Sequence, residues 1–484
     1  MYLGIDLGTS SVKVMLIDGE QHVVGSASAA LAVANPIPGW SEQDAGDWES
    51  ATDAAMGQLK AAQPRELAAV TGIGLSGHMH GATLVDIHDR PIRPCILWND
   101  TRSHAEAAEL DAIPAFRQLT GNIVFPGFTA PKLLWAARHE PAHFDAIRFV
   151  LLPKDYLRLW LTGEHMSEMS DSAGTSWLDV GARRWSPELL AATGLEERQM
   201  PDLVEGTDTA GVLRPELASR WGMGAGVVVA GGAGDNAASA VGMGTVRDGD
   251  AFASLGTSGV LFAANNGFKP KPESAVHAFC HALPDTWHQM GVILAATDSL
   301  NWLADVTGVS QADLTAELGD TLKAPGSVTF LPYVSGERTP HNDALIRGAF
   351  AGIGKESHRA TLTQAVVEGV AFAFADCRDA LASAGQTVGR AFAVGGGARS
   401  RYWLKALSTA LAMPLDIPVN GDFGAAFGAA RLGLIAATGA DPLAVMTPPA
   451  AAETIEPDAA LAGAFAAKLE TYRNLYPAIR SATT

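Results

Sequence analysis

The sequence predicts an α/β protein made of two related halves, and a repeated four-residue segment is the main reason. Leu-Gly-Thr-Ser occurs at Leu7–Ser10 and again at Leu255–Ser258, about half a chain length later. Each copy lies between two short apolar runs, a pattern typical of a β-hairpin. Other strand-like runs lead through glycine-rich turns into helix-like segments, which is the alternation expected of an α/β fold.

The two predicted turns have the chemistry of a phosphate clamp. Glycine lets the backbone bend tightly and approach a ligand, and the N–H groups and the Thr and Ser hydroxyls can donate to anionic oxygens. Two such turns that face each other would hold a polyphosphate from both sides. The alternative is a pair of ordinary hairpin turns.

Composition describes a well-packed globular protein of 484 residues, long enough for two or three domains. The net charge of −18 argues against nucleic acid or an anionic membrane surface as the main partner. We find neither a cleavable leader nor an apolar run long enough to span a membrane, so we expect a cytoplasmic protein. The three cysteines match no zinc or redox spacing and are expected to be reduced thiols.

The first half is predicted to place strands and helices around one irregular insertion. In order, we expect strands to about residue 30, a helix through Leu59, a strand pair near 72–76 and 82–86, a mostly helical insertion over 100–220, and a strand over Val227–Ala230 that enters the glycine-rich turn 231–236. The insertion is expected to shape a substrate pocket.

The second half is predicted to restart with the second hairpin at about residue 250. In order, we then expect a helix from a capping box of Thr361 and Gln364 to Gly385, a strand over Ala391–Val394, the turn Gly395–Ala398, an amphipathic helix to Leu411 and a surface helix over the last 30 residues. The glycines of this turn would let a flat ligand such as adenine lie against bare backbone, and tight strand–helix packing is the alternative.

Asp6 lies directly before the first glycine turn. A carboxylate there would repel phosphates unless a cation intervened, so we predict that Asp6 binds Mg²⁺ directly or through water. The alternative is an Asp that bonds its own backbone in the turn. Lys13 follows the turn within reach of a β- or γ-phosphate, and a solvated strand lysine is its alternative.

Asp235 stands after a glycine-rich turn, at the start of a helix between the two halves. The helix N-terminus favours the ionised carboxylate, which a general base needs to take the proton of an alcohol that attacks a γ-phosphate. A simple N-cap is the alternative, but it leaves the preceding glycines unexplained.

The segment Gly77–Gly81 joins two predicted strands and contains His-Met-His. His78 and His80 would share one face of an extended segment and could bind a metal, although no third ligand is near them in sequence. We favour a sugar contact in which His80 bonds a hydroxyl and Met79 packs against a carbon face. Gly72–Gly77 fits the dinucleotide-binding pattern but leads into strand-like residues, which excludes a Rossmann site.

Together these features resemble the FGGY family of carbohydrate kinases. The resemblance rests on Asp6–Ser10, on Asp235 with its glycine turn and on Gly395–Ala398, which span nearly the whole chain. Two segments look like the family signatures, Phe128–Trp135 and 348–369. Further segments resemble the members that phosphorylate xylulose: Ser76–Gly81, Trp98–Asp100, Leu152–Tyr156 and Ser335–Asn342. His78 departs from the glutamine expected in those members.

The resemblance implies an actin-like ATPase fold of two ribonuclease-H-like domains with a cleft between them. The expected domains are 1–244, with the sugar site and the catalytic Asp, and 245–484, with the nucleotide site. It implies ATP as co-substrate, Mg²⁺, Asp235 as general base and Asp6 as the Mg²⁺-associated carboxylate, with Asp235 also beside the metal. Further contacts are implied as follows: phosphates at Thr9, Ser10, Lys13, Gly256 and Thr257; adenosine at Asn301, Gly397 and Arg401; ketose at Met79, His80, Asp235 and Asn236.

The activity implied is ATP-dependent phosphorylation of D-xylulose to D-xylulose 5-phosphate, with another ketopentose, a sugar acid or a polyol as the alternative substrate. Two other classes are a chaperone-like ATPase of the actin superfamily and a sugar-responsive regulator. We expect a sugar and ATP as partners, without nucleic acid or membrane, and a homodimer is one option for assembly.

Overall fold

The computed structural model describes residues 1–419, 421 and 423–483. The strands within these residues are β1 (Tyr2–Leu7), β2 (Ser11–Ile17), β3 (Val23–Ala30), β4 (Glu42–Gln43), β5 (Gly72–Gly77), β6 (Thr83–Val85), β7 (Cys95–Ile96), β8 (Phe149–Leu151), β9 (Met166–Glu168), β10 (Leu178–Asp179), β11 (Arg184–Trp185), β12 (Asp202–Val204), β13 (Thr209–Val212), β14 (Val228–Ala230), β15 (Ala233–Gly234), β16 (Ala251–Leu255), β17 (Gly259–Asn265), β18 (His277–Cys280), β19 (Trp287–Ile293), β20 (Thr329–Leu331), β21 (Ala349–Ala351), β22 (Ala391–Val394), β23 (Leu415–Pro418) and β24 (Ala451–Ile455).

The helices of the same residues are α1 (Ala45–Ala62), α2 (Pro64–Ala68), α3 (His104–Asp111), α4 (Pro114–Thr120), α5 (Thr129–His139), α6 (Pro141–Asp145), α7 (Pro153–Thr162), α8 (Met169–Ser172), α9 (Pro187–Ala191), α10 (Pro215–Trp221), α11 (Asp235–Met243), α12 (Thr297–Thr307), α13 (Gln311–Ala316), α14 (Arg359–Ser383), α15 (Arg401–Leu411), α16 (Ala425–Thr438), α17 (Pro442–Val445) and α18 (Ala462–Thr483).

Each half of the chain forms one large mixed sheet around its hairpin. The first sheet has the order β13-β14-β5-β1-β2-β3 with β15 beside β5, and the second has the order β18-β19-β17-β16-β22-β23-β24. In both, the first hairpin strand pairs antiparallel with the second and parallel with the strand on its other side. A second parallel strand and an antiparallel edge strand follow in both. The halves therefore share one topology, which confirms the prediction of two related α/β units.

Helix α16 belongs to the second half of the sequence but packs on β1, β5 and α11 of the first half. A Cβ atom on Gly74 would lie 1.8 Å from the Ala429 carbonyl oxygen, and one on Gly428 would lie 1.8 Å from that of Ala238. Only glycine permits these backbone contacts. Helix packing therefore explains the glycines of β5 that fit the dinucleotide pattern. The boundary at residue 244 stays a prediction, and α16 makes contacts across it.

Two local predictions were wrong. β6 pairs with β8 and not with β5, which joins the main sheet. Helix α14 is capped by His358, whose Nδ1 accepts the N–H of Thr361, so the capping box lies three residues earlier than Thr361 and Gln364. The last helix, α18, is a surface helix as predicted: most of its side chains are exposed, and Phe465 and Tyr472 are buried against the second half. The region 100–220 is mostly short helices, as predicted.

Candidate active site

Two carboxylates meet at one edge of the first sheet. Asp6 lies near the end of β1, and Asp235 directly follows β15. β1 and β15 both pair in parallel with the end of β5, where Asp6 and Ala233 share Ser76 as their partner. Burial, and after it the charge of Asp6, raises the pKa of Asp235 to about 6. The two acids therefore act on each other, as a shared phosphate or metal site requires.

Asp235 is the first residue of α11, and the N-cap is Gly234, so the simple N-cap interpretation of Asp235 was wrong. Its Oδ1 accepts hydrogen bonds from the backbone N–H of Asn236 at 2.7 Å and from Asn236 Nδ2 at 2.9 Å. These bonds lower the pKa, but burial and the charge of Asp6 outweigh them. A pKa near 6 leaves most of the carboxylate ionised at neutral pH and matches a general base.

A buried ionic network holds the turn that precedes Asp235. Ser170 Oγ accepts the N–H of Gly234 at 3.1 Å, and the Arg158 guanidinium donates to the carbonyl of Gly231. We call the following side chains the turn-support cluster: Lys154, Asp155, Arg158, Glu168, Ser170 and Asp171. All of them are almost fully buried. Sequence reasoning missed this role, and Leu152–Tyr156 was the one signal for it.

Met79 packs against the turn that carries Asp235, and His80 follows it in the chain. The Met79 side chain packs against the backbone of Gly234, where a Cβ would lie 2.9 Å from Met79 Cγ. His80 is held in the left-handed region at φ 69°. Its carbonyl accepts hydrogen bonds from Thr129 Oγ1 at 3.1 Å and Lys132 Nζ at 2.8 Å. These bonds fix a backbone conformation that a histidine adopts only at a cost.

The imidazole of His80 is oriented by its neighbours. Nδ1 lies 2.7 Å from the carbonyl oxygen of Gly174, and the ring stacks on Phe128 with centroids 4.4 Å apart. Because a carbonyl only accepts, Nδ1 carries the proton and Nε2 is left as an acceptor. Burial lowers the pKa of His80 to about 3, so the ring is neutral. His80 can therefore accept a hydrogen bond from a sugar hydroxyl.

The metal interpretation of His78 and His80 gains no support. β5 ends at Gly77, so the two residues do not share a face of an extended strand. The described residues contain no group of three or more His, Cys, Asp or Glu side chains placed to hold a metal ion. His78 is buried against Trp48, and neither ring nitrogen has a hydrogen-bond partner among the described residues.

The first glycine turn is tied to two segments that precede the helical insertion. Thr9 Oγ1 accepts the indole N–H of Trp98 at 3.0 Å, and the Thr9 carbonyl accepts a bond from Gln43 at 2.7 Å. Ser10 is exposed in the turn, and Lys13 faces Asp6 across the hairpin. Trp98 is a site residue that sequence reasoning did not connect with this turn.

The second glycine turn packs on the residues expected to bind adenosine. The carbonyls of Gly256 and Thr257 accept the first N–H groups of α12, which also carries Asn301. A Cβ on Gly397 would lie 2.9 Å from Leu255, so the turn Gly395–Ala398 touches the second glycine turn. Arg401 instead forms an exposed ion pair with Glu453. A cavity of about 300 Å³ lies between α11 and the second sheet, bordered by both Asn236 and Ser254.

One protein family matches both halves of the chain, including the segments that contain Asp235 and the two glycine turns. The model for the N-terminal domain of the FGGY family of carbohydrate kinases matches residues 1–242, and the model for its C-terminal domain matches residues 251–437. The chain belongs to the FGGY family of carbohydrate kinases. Its fold is the actin-like ATPase fold with two ribonuclease-H-like domains, and FGGY kinases use ATP as co-substrate.

Similar proteins cover almost the whole chain. A xylulose kinase of Escherichia coli (strain K12) is 49% identical over 479 residues, 98% of each chain. The crystal structure of a protein described as a xyloylose kinase from Brucella ovis is 66% identical, covers 99% of both chains and has a TM-score of 0.98. That of xylulose kinase from Rhodospirillum rubrum is 29% identical, covers 99% of both chains and has a TM-score of 0.93. No helix in the described part of this FGGY kinase is both long and apolar enough for a membrane span.

Proposed function

We propose that this FGGY kinase transfers the γ-phosphoryl group of ATP to D-xylulose and forms D-xylulose 5-phosphate. The observation that carries the proposal is Asp235, an ionisable carboxylate beside Asp6 and next to Met79 in a chain whose relatives are xylulose kinases. The chemistry needs a base, a polyphosphate site and a pocket with apolar and polar walls. Residues of these three kinds lie near one another around α11.

Asp235 takes the proton of the terminal hydroxyl while the hydroxyl oxygen attacks the γ-phosphorus and ADP leaves. Asn236 holds the carboxylate through the two hydrogen bonds to Oδ1. His80 Nε2 accepts a hydroxyl hydrogen farther along the sugar, and Met79 packs against a carbon face. Two fixed sugar contacts align the nucleophile with the base.

ATP is proposed to lie between the two glycine turns. Thr9, Ser10 and Lys13 contact phosphates from one side, and Gly256 and Thr257 contact them from the other. The adenosine side is formed by Asn301, Gly397 and Arg401. Closure of the two domains would exclude water, which otherwise competes with the sugar as nucleophile.

Mg²⁺ fits the carboxylate pair. Mg²⁺ binds through one or two carboxylates and the phosphate oxygens of the substrate, and Asp6 and Asp235 are close enough for the charge of Asp6 to raise the pKa of Asp235. These two residues would hold the ion, directly or through water. When bound, Mg²⁺ neutralises phosphate charge.

The test is a panel of sugars with coupled detection of ADP, run on the wild-type chain and on Asp235→Asn. We expect the highest kcat/KM with D-xylulose and a loss of at least ~10² in sugar-dependent turnover in the variant. Asp305→Asn, an exposed carboxylate on α12, is the matched control and should retain full turnover. Higher activity on ribulose, gluconate or a pentitol would show that D-xylulose is not the preferred substrate. Normal turnover of Asp235→Asn would show that Asp235 is not the general base.

We also propose that the enzyme works in the cytoplasm, where ATP is made. A homodimer is one assembly to test. Light scattering during gel filtration would distinguish it from a monomer.

A further inference from the structure

Arg338 is a cation near the sugar pocket to which the proposed mechanism gives no role. It lies in the segment Ser335–Asn342 of the second half of the chain. Its guanidinium covers the ring of Phe125, with Cζ 3.6 Å from the ring centroid. Because Phe125 belongs to the helical insertion of the first half, Arg338 reaches across from one half to the other.

A row of rings connects Arg338 with His80. Phe125 packs edge-on against Phe128 at 5.4 Å, and Phe128 stacks on His80 at 4.4 Å. His277 from β18 packs against Phe125 at 5.5 Å. Burial, and to a smaller extent the charge of Arg338, lowers the pKa of both His80 and His277. The guanidinium therefore lies within electrostatic range of the imidazole that faces the sugar.

The acid that acts on Arg338 is its neighbour Glu337, whose charge raises the pKa of Arg338 against the larger lowering by burial. Among the described residues the guanidinium of Arg338 forms no hydrogen bond and no ion pair. It stacks on the ring of Phe125. Neighbouring Glu337 directs Oε1 to the backbone N–H groups of Leu294 at 3.1 Å and of Arg338 at 2.7 Å. Burial raises the pKa of Glu337 to about 8, so this acid is mostly neutral at pH 7. Arg338 is half-buried, and within the described part of the chain its five guanidinium N–H donors have no acceptor.

The segment is held rigidly, so Arg338 occupies a fixed position. The backbone N–H of Thr339 donates to Val292 at 3.0 Å, and Thr339 Oγ1 donates to Ala275 at 2.9 Å. On the other side, the ring of His341 stacks on Tyr476 of α18 at 3.6 Å. A segment that is held on both sides loses little conformational entropy when one of its side chains binds a ligand.

We propose that Arg338 is a specificity-determining residue that donates to the C2 carbonyl oxygen of the open-chain ketose. This inference rests on the proposed function. A guanidinium can only donate and His80 Nε2 can only accept, so the two groups together match a ketone oxygen next to a hydroxyl. Reduction of the ketone to an alcohol replaces the planar carbonyl acceptor with a tetrahedral hydroxyl whose oxygen also carries a donor hydrogen, so the match to the planar guanidinium becomes poorer.

The experiment compares D-xylulose with xylitol, which has a hydroxyl in place of the ketone, in the wild-type chain and in Arg338→Met. We expect kcat/KM for D-xylulose to fall about 10-fold or more, mainly through KM, because the ketone loses a charged donor. The value for xylitol should change less than about 3-fold. Where xylitol turns over too slowly, its inhibition constant against xylulose gives the same comparison. Arg148→Met removes another arginine from a phenylalanine ring, 4.5 Å from Phe149, and is the matched control.

If Arg338 were merely structural, its loss would lower activity on both substrates equally. The xylulose-to-xylitol ratio of kcat/KM would then be unchanged, and that result would overturn the proposal. If the methionine variant does not fold, Arg338→Lys keeps the charge without the planar fork, and the xylulose-to-xylitol ratio should still fall several-fold. If the wild-type chain prefers a pentonate, Arg338 binds the carboxylate of that substrate, and the proposed contact with a ketone is refuted. A wild-type chain inactive on xylulose refutes the proposed function, whereas an active one with an unchanged ratio in the variants refutes only the role of Arg338.

Discussion

At Asp235 the needs of catalysis and of folding oppose each other. Burial and the charge of Asp6 raise the pKa of its carboxyl from 3.8 to about 6. The unfolded chain has no such environment, so above pH 6 the folded protein holds a charge that it disfavours. Below the unfolded pKa the acid is protonated in both states and the penalty is absent. The penalty appears as pH rises from about 4 to 6 and is at most about 3 kcal/mol.

We therefore predict that Asp235→Asn, which loses activity, is more stable than the wild-type chain at neutral pH. The asparagine keeps the oxygen that accepts from Asn236 but carries no charge. Thermal unfolding of the ligand-free protein should show a higher Tm for the variant at pH 7.5 and a vanishing difference near pH 4. Asp305→Asn should show neither effect. A variant less stable than wild type at pH 7.5 would mean that Asp235 stabilises the fold, contrary to the direction of its pKa.

At the level of elements, α8 positions the turn that carries Asp235. Ser170 Oγ accepts the N–H of Gly234 and donates to Glu168 Oε1 at 3.0 Å. We predict that Ser170→Ala leaves this N–H buried without an acceptor and destabilises the fold by about 1–3 kcal/mol. Because the turn precedes the catalytic carboxylate, kcat should fall roughly 10- to 100-fold while KM for ATP changes little.

Ser172→Ala separates this role from simple loss of a buried hydroxyl. Ser172 lies on the same helix and is equally buried, but its Oγ bonds Ser167 Oγ at 2.8 Å and does not contact the turn. It should lose comparable stability and keep kcat within about 3-fold of wild type. Equal kcat losses in the two variants, measured at a temperature where both are folded, would contradict a positioning role for Ser170.

Sequence alone could predict the parts of this site that are local in the chain. Each glycine turn lies within a few residues of its strands, and Asp235 follows its own turn, so their patterns are visible in short segments. The contacts that support them are not local: 64 residues separate Ser170 from Gly234, and 89 separate Trp98 from Thr9. Such pairs meet only through tertiary packing, which hydrophobic periodicity does not encode. The histidine cap of α14 was missed for another reason, since His is rare among N-caps.

For the whole molecule, α16 links the two halves next to the proposed catalytic carboxylate. This helix comes from the second half, yet it covers β1 and β5 and crosses α11, whose first residue is Asp235. The contact at Gly428 and Ala238 is backbone to backbone, so it has little room to adjust. A movement of the second domain would therefore act directly on the helix that carries Asp235. We therefore expect the division at residue 244 to describe sequence repeats better than independent folding units.

We accordingly predict that the fragment 1–244 does not fold alone. Without α16, the glycine-lined face of β1 and β5 and the apolar side chains of Met15 and Ile17 on β2 are exposed, and α11 loses its main partner. The fragment should be insoluble or lack a cooperative unfolding transition by circular dichroism. The matched control is a longer polypeptide in which residues 424–440 follow residue 244 through a flexible glycine–serine linker. It should recover solubility and a cooperative transition, because it restores that packing. If the fragment 1–244 alone unfolds cooperatively with the same Tm as the full-length chain, α16 is not part of the first folding unit. Its contact with α11 then cannot couple domain closure to Asp235.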